Sequence, residues 1–306
     1  MQHIKVSAII PFYNGVEWLG DAVQSVLDQT HKNIEIIVVN DGSPEDVSGF
    51  LERYGEHIKY YYKENGGAAS ARNLAISKAT GDYFALLDSD DIWLPQKTEL
   101  QLQFMERNNL MWSHTAFYYW NPDTNKCTSP NICNNYGNVF VRHFVSMKIS
   151  TPSVMLNRKY LLEHPEIVFP EHMRKAQDTA YFVQLSKFYP LGLVDIPLMK
   201  IRLRGNNTNT QAIVRCQVNS RTLDMIQSDT TGFYADVPST AISIYKIYAL
   251  NNRVVQWLIQ KGIKRNRVEV CAKILWVLPY LLERMYSKVL IHRYANKNVK
   301  SVYYTK

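Results

Sequence analysis

The chain lacks most of the short signatures by which nucleotide-handling proteins are known. No GxGxxG follows its first strand-like run, which disfavours a dinucleotide fold of the Rossmann type. No GxxxxGKS or GxxxxGKT occurs, so a P-loop is excluded, and HExxH is missing too. Cysteine is scarce. Cys127, Cys133, Cys216 and Cys271 are the full set and none forms a CxxC pair, so zinc is not expected. They read as reduced thiols of a cytoplasmic protein. No apolar run reaches the ~18–20 residues of a membrane span; Lys273, for example, breaks the run from Val270 to Leu282. Met1-Gln2-His3-Ile4-Lys5-Val6 leads straight into a strand pattern and has none of the marks of a signal peptide. Repeats and low-complexity stretches are absent as well.

What remains is an ordinary globular composition. The 306 residues are 46% hydrophobic, ample for a large core. The net charge of +8 is unevenly placed: Gln211 to Lys306 holds 15 Lys and Arg against 5 Asp and Glu. That asymmetry points to an anionic partner for the last third, a membrane surface or nucleic acid, or else to a solvated basic face.

Periodicity gives the organisation. Val6 to Pro11, Ile34 to Asn40, Ile58 to Tyr62 and Tyr83 to Leu87 are short apolar runs of strand length. Helical spacing fills Val16 to Gln29, Pro44 to Tyr54 and Ala68 to Ala79. Alternation of this kind predicts a mostly parallel sheet covered by helices on both faces. Met111 to Trp120 reads as a further strand and Asn121 to Asn138 as a loop or hairpin. Thr151 to Leu156, a helix over Asp178 to Phe188, and Ile196 to Leu203 continue the mixed domain. Beyond about Thr210, Cys271, Ile274, Leu275, Leu278, Leu281, Leu282, Met285 and Val289 recur at helical spacing. Two domains are therefore expected, 1–210 and a basic helical extension over 211–306.

In an open parallel sheet, ligands collect at the carboxyl ends of the strands. Three early strands end in small or polar residues: Pro11-Phe12-Tyr13-Asn14, Asn40-Asp41-Gly42-Ser43 and Asp88-Ser89-Asp90-Asp91. Each alone fits an ordinary cap or turn. The spacing of Asp88 and Asp90 suits a hard divalent cation neutralising a diphosphate, and equally an acidic cap on a helix starting near Gln96.

Taken together, VSAIIPFYN, IEIIVVNDGS and NGGAASARNLAISKATGDYFALLDSDDIWLP resemble family 2 inverting glycosyltransferases, whose fold is GT-A. The resemblance is strong over the first third and weaker to about Asn209. It implies a GT-A-type α/β fold with a mixed, mostly parallel sheet. It implies a nucleotide-sugar donor, with Pro11 and Tyr13 at the first nucleotide-contacting positions and Tyr13 packed on the base. Asp41 matches the aspartate that hydrogen-bonds uracil, and Arg72 an arginine near the nucleotide. Asp88 matches the aspartate near ribose and metal, Asp90 the principal ligand of Mn²⁺ or Mg²⁺, and Asp178 the catalytic base. Two departures stand out. Gln177-Asp178 replaces the usual Glu-Asp, and Ile201-Arg202-Leu203-Arg204 lacks the histidine that often follows the late strand. Arg202 or Arg204 is expected to grip the diphosphate in its place.

The resemblance further implies a single inverting displacement, with Asp178 taking the proton of an acceptor hydroxyl. The acceptor would be a saccharide or lipid-linked saccharide of bacterial surface polysaccharide synthesis. A nucleotidyltransferase, a non-catalytic nucleotide-sugar binder and a nucleic-acid-binding protein are the competing readings. No Gly-rich, Arg/Lys-bearing loop follows the first strand, both carboxylate roles are filled, and the basic tail has no recognition motif. Nucleic acid is therefore not expected as a partner. A cytoplasmic location is, peripheral on the inner face of the membrane through the basic extension.

Overall fold

Residues 3–132, 135–144, 149–204 and 212–294, with side chains to residue 289, are described by the structure, a computed structural model. The strands are β1 (Val6–Phe12), β2 (Ile34–Asp41), β3 (Lys59–Lys63), β4 (Tyr83–Leu86), β5 (Ile92–Trp93), β6 (Trp112–Asn121), β7 (Lys126–Thr128), β8 (Met155–Asn157) and β9 (Leu191–Arg202). They form one sheet in the order β3-β2-β1-β4-β8-β6-β9-β5, with β7 hairpinned onto β6. β3, β2, β1 and β4 run parallel. β8 is antiparallel to both β4 and β6, and β9 returns parallel to β6. The helices are α1 (Val16–Leu27), α2 (Ser48–Tyr54), α3 (Ala68–Lys78), α4 (Lys97–Asn108), α5 (Phe140–His143), α6 (Lys159–Glu163), α7 (Gln177–Phe188), α8 (Ala212–Gln227), α9 (Ser239–Gln260) and α10 (Arg265–Tyr294).

β1 and β2 are near-continuous apolar runs because both of their faces are covered; every residue of β1 is buried. α1 lays Leu19, Ala22, Val23 and Val26 on that surface. Each such Leu or Val side chain contributes roughly 1.5–3 kcal/mol when fully buried. Glu35 interrupts the apolar run of β2. Its carboxylate is buried at the amino end of the sheet, where Ser7, Lys5, Lys59, Thr80 and Gly81 all donate to it. Burial opposes its ionisation, but those donors, Lys59 first, hold it far below the usual carboxylate range.

Several boundaries differ from the sequence reading, each for a local reason. α2 begins at Ser48 instead of Pro44. The intervening residues are otherwise engaged: Glu45 accepts from the backbone N–H groups of Gly15 and Val16 and so caps α1, while Asp46 accepts from Ser48. α7 begins at Gln177, preceded by Ala176 at φ +60°. β5 and β8 are two and three residues long, below the length at which periodicity registers.

The chain divides into two compact units. One holds 3–139 and 149–203; the other holds Phe140–Phe144 and 204–294. The boundary expected at 210 falls in 205–211, outside the described residues. In the second unit Ala212, Ile213, Val255, Val268 and Ala272 form a small core between α8, α9 and α10. Phe140 and Phe144 meet Phe233 and Tyr234 edge to face. Pro279 interrupts α10 and deprives the Leu275 carbonyl of its helical donor. The buried Asn251 amide of α9 donates to that carbonyl at 2.7 Å, so the gap is filled from the neighbouring helix.

Candidate functional site

The register of the parallel strands brings the expected residues to one edge. β1 and β2 end level, with Phe12 opposite Asn40, and β3 ends with Lys63 opposite Asp41. β4 pairs Leu86 with Ile9, and the same register carried two residues further puts Asp88 beside Pro11. Pro11 is buried in the strand, while Tyr13, just past its end, is 46% exposed with its ring free to take a stacking partner.

Asp41 is 2% exposed and heavily engaged. Oδ1 accepts from Lys63 Nζ at 2.8 Å and Gly66 N at 2.9 Å, and Oδ2 accepts from Gly67 N at 2.7 Å. A carboxylate has about four acceptor positions, so one remains, on Oδ2. Asp41 thus shapes the Gly66-Gly67 turn that opens α3. Gly67 needs its freedom here: it sits at φ +91°, and a Cβ on it would meet the Arg174 guanidinium at 3.0 Å. The lead into α7 therefore lies directly over the turn that Asp41 holds.

Asp88 to Asp91 form a tight turn closed by Asp91 N–H to Asp88 C=O at 3.1 Å. Asp88 Oδ1 accepts from the buried Arg72 at 2.6 Å, and among the described residues its Oδ2 accepts no hydrogen bond. Arg72 also lies over the Phe169 ring, and its Nε is a buried donor without a partner. Asp91 is buried and accepts from the backbone N–H of Arg202 at 2.9 Å.

Arg202, expected with Arg204 to grip a diphosphate, reaches the acidic turn from β9. Its Nε donates to the Asp90 carbonyl at 3.0 Å and its Nη2 to Asp21 at 2.8 Å, and its guanidinium lies over Trp120. It is buried, and it clamps the acidic turn to β9. Arg204, past the end of β9, is exposed and belongs to the second unit.

Asp178 occupies the second position of α7 and is not the cap of that helix; Ala176 is. A carboxylate in the first turn is favoured by the helix dipole. Oδ1 accepts from the Thr179 N–H and Oδ2 from the Thr151 hydroxyl at 3.2 Å. Gln177 uses its amide to donate to the Met173 carbonyl at 2.8 Å, which an ionised glutamate cannot do. The segment before α7 is fixed by Asn73, which donates to Phe169 O and Glu171 and accepts from Phe169 N.

Thr151, Asn73, Glu45 and the clamping role of Arg202 were not read from the sequence. Their partners lie 27 to 112 residues away, and no local pattern announces them. A cleft lined by Thr30, His31, Asn33 and Glu99 lies at the amino end of β2, away from this chemistry; the carboxylate edge is the better candidate, since the strand ends and the Gly66-Gly67 turn converge there.

The acidic turn can be tested against a divalent cation. No group of three His, Cys, Asp or Glu among the described residues is placed to hold a metal. Two carboxylates on one turn, one with a free oxygen, nevertheless fit Mg²⁺ or Mn²⁺, because such ions take one or two protein carboxylates and share the rest of the shell with substrate phosphates and water.

The family model described as Glycosyl transferase family 2 matches residues 7–164. An uncharacterized glycosyltransferase of Rickettsia bellii is 41% identical over 210 residues, covering 68% of this chain and 30% of that protein. The chain spans about a third of the length of the Rickettsia relatives it matches. The UDP-Glc:alpha-D-GlcNAc-diphosphoundecaprenol beta-1,3-glucosyltransferase WfaP of Escherichia coli is 40% identical over 115 residues, 37% of this chain and 46% of that one. Among solved structures, S. aureus TarS 1-349 in complex with UDP-GlcNAc aligns with a TM-score of 0.60 at 17% identity, over 94% of this chain and 92% of that one. The fold is therefore the GT-A-type α/β fold, with a helical C-terminal region.

Proposed function

The chain belongs to glycosyl transferase family 2, and on that premise we propose that it moves a sugar from a nucleoside diphosphate donor to an acceptor hydroxyl with inversion. The observation that carries the reading is the convergence of Tyr13, Asp41, Arg72, Asp88 and Asp90 on one sheet edge, with Asp178 held beside it by Thr151. The unit of 3–139 and 149–203 is the catalytic part, and the basic helical unit is an extension to it.

Tyr13 stacks on the base, and the remaining acceptor position on Asp41 Oδ2 takes a base N–H, which suits uracil. Arg72 fixes Asp88, and Arg202 fixes the Asp90 backbone, so the acidic turn faces the diphosphate in one conformation. Asp88 and Asp90 would hold a divalent cation, which would supply positive charge against the leaving diphosphate. Asp178, at the start of α7 and aimed by Thr151, accepts the proton of the attacking hydroxyl. Direct displacement needs no covalent intermediate, so no nucleophilic Ser or Cys enters the scheme.

WfaP, by its name, takes UDP-glucose and a diphosphoundecaprenol-linked sugar. On that likeness the donor is a UDP-sugar and the acceptor a lipid-linked saccharide of a surface polysaccharide, handled peripherally at the cytoplasmic face of a membrane. The test is a screen of UDP-glucose, UDP-galactose and UDP-GlcNAc turnover with Mn²⁺ or Mg²⁺, beside Asp90→Ala. The reading expects divalent-dependent turnover that Asp90→Ala abolishes without unfolding; full activity of that variant, or of the wild type in EDTA, overturns it.

A further inference from the structure

The second unit carries an apolar face that its own packing does not use. α10 buries Val268, Ala272 and Pro279 on one side. On the opposite side Val270, Ile274, Val277, Leu278, Leu281, Met285 and Val289 are all exposed, each by 48% or more. At 100° per residue these positions fall within one stripe of roughly 120°. α9 repeats the pattern over about two turns with exposed Leu250, Val254 and Trp257. An exposed apolar stripe of this size marks a surface that meets something.

Charge decides what it meets. α9 contains no Asp or Glu, and α10 has only Glu269 and Glu283. Both are turned inward: Glu269 accepts from the backbone N–H groups of Ala212 and Ile213 at the start of α8, and Glu283 accepts from the Tyr248 hydroxyl. The charges within and beside the stripe are cations alone, namely exposed Lys246 and Arg253 on α9 and Arg267, Lys273, Arg284 and Lys288 on α10. A second copy docked by this face about a two-fold axis would set Lys and Arg against Lys and Arg with no carboxylate to pair them. Nucleic acid would leave the apolar stripe unused. A bilayer with anionic headgroups satisfies both features: the apolar residues enter the acyl boundary while the flanking Lys and Arg reach the phosphates. No described helix is long and apolar enough to cross a membrane, so the contact is one of lying on the surface.

We infer that the outward faces of α9 and α10 dock this chain on an anionic lipid surface. The inference deepens the placement of the enzyme at a membrane, and it is tested by lipid binding without any sugar transfer, so either reading can fail alone.

The full chain is floated with vesicles of phosphatidylglycerol and phosphatidylcholine and with vesicles of phosphatidylcholine alone. Two variants accompany it, Leu278→Glu/Leu281→Glu and Lys273→Glu/Lys288→Glu, all at exposed positions, and Leu162→Glu serves as a control at an exposed leucine of the other unit. The expected result is binding to anionic vesicles that weakens with salt, falls at least tenfold in both double variants and persists in the control. Equal flotation of wild type and double variants overturns the inference. So does equal binding to neutral vesicles, or a wild-type dimer in solution that Leu278→Glu/Leu281→Glu converts to monomer.

Discussion

Replacing Arg202 by methionine separates two ways in which this arginine could serve the diphosphate. Methionine keeps much of the side-chain packing beside Trp120 but removes the guanidinium. The loss has two parts. The charge-assisted bond from Nε to the Asp90 carbonyl is worth about 1.5–3 kcal/mol. The pair with Asp21 adds only about 0–1 kcal/mol, because Asp21 is 55% exposed and screened by solvent. A fall of about 2–4 kcal/mol in stability should lower the melting temperature by roughly 3–6 °C for a chain of this size. The functional consequence depends on geometry. If Arg202 acts by holding the acidic turn, UDP affinity measured by calorimetry drops in Mn²⁺ and is unchanged in EDTA. If Arg202 grips phosphate directly, the drop persists in EDTA. An unaltered melting temperature together with unaltered affinity in Mn²⁺ would refute the clamp.

Asp41→Asn should weaken UDP binding about tenfold or more and also lower the melting temperature, because the amide turns donors toward the N–H groups of Gly66 or Gly67; unchanged affinity in calorimetry would remove Asp41 from the site. Glu283 gives a pH dependence of defined sign. Burial pushes its carboxyl up to about 7, so its contribution to stability is present below the ordinary value near 4.5 and is lost as pH rises through about 7. Buried His114, pushed down to about 4, acts in the opposite direction over the acid side, so the informative quantity is the difference between two proteins. The melting temperature of Glu283→Gln relative to wild type should rise between pH 5.5 and pH 8; a flat difference would show that Glu283 does not titrate in that window.

The amino-terminal half of the sheet could be read directly because parallel strands covered on both faces leave continuous Val/Ile runs, and their polar ends mark where ligands gather. The hydrophobic signal fades where strands shorten to two or three residues, as at Ile92–Trp93 and Met155–Asn157. The start of α2 was misplaced because a side chain from that segment, Glu45, serves the distant end of α1. The same reason covers the site. Its carboxylates stand in local motifs, whereas what aims them does not: Arg202 meets the Asp90 backbone from 112 residues away and Thr151 meets Asp178 from 27. A residue such as Arg202, free to be called a phosphate ligand in sequence, is found with its donors on backbone and on α1. Burial of Asp41 against three donors was equally invisible, since a strand-end aspartate reads the same whether it faces solvent or a glycine turn.

The proposed sugar transfer depends on Asp178 as its proton acceptor. Asp178→Asn keeps the size of the side chain, an oxygen to accept from the Thr179 N–H and an amide that can donate to the Thr151 hydroxyl, while it removes the basicity. Turnover of the UDP-sugar donor identified by the screen, measured beside UDP affinity on the same preparation, is therefore the decisive comparison. The account predicts turnover lower by about 10²–10⁴-fold with UDP affinity nearly unchanged. Near-normal turnover in Asp178→Asn would contradict it and move the base role to another carboxylate, with Glu171, held by Asn73, the nearest in the sequence.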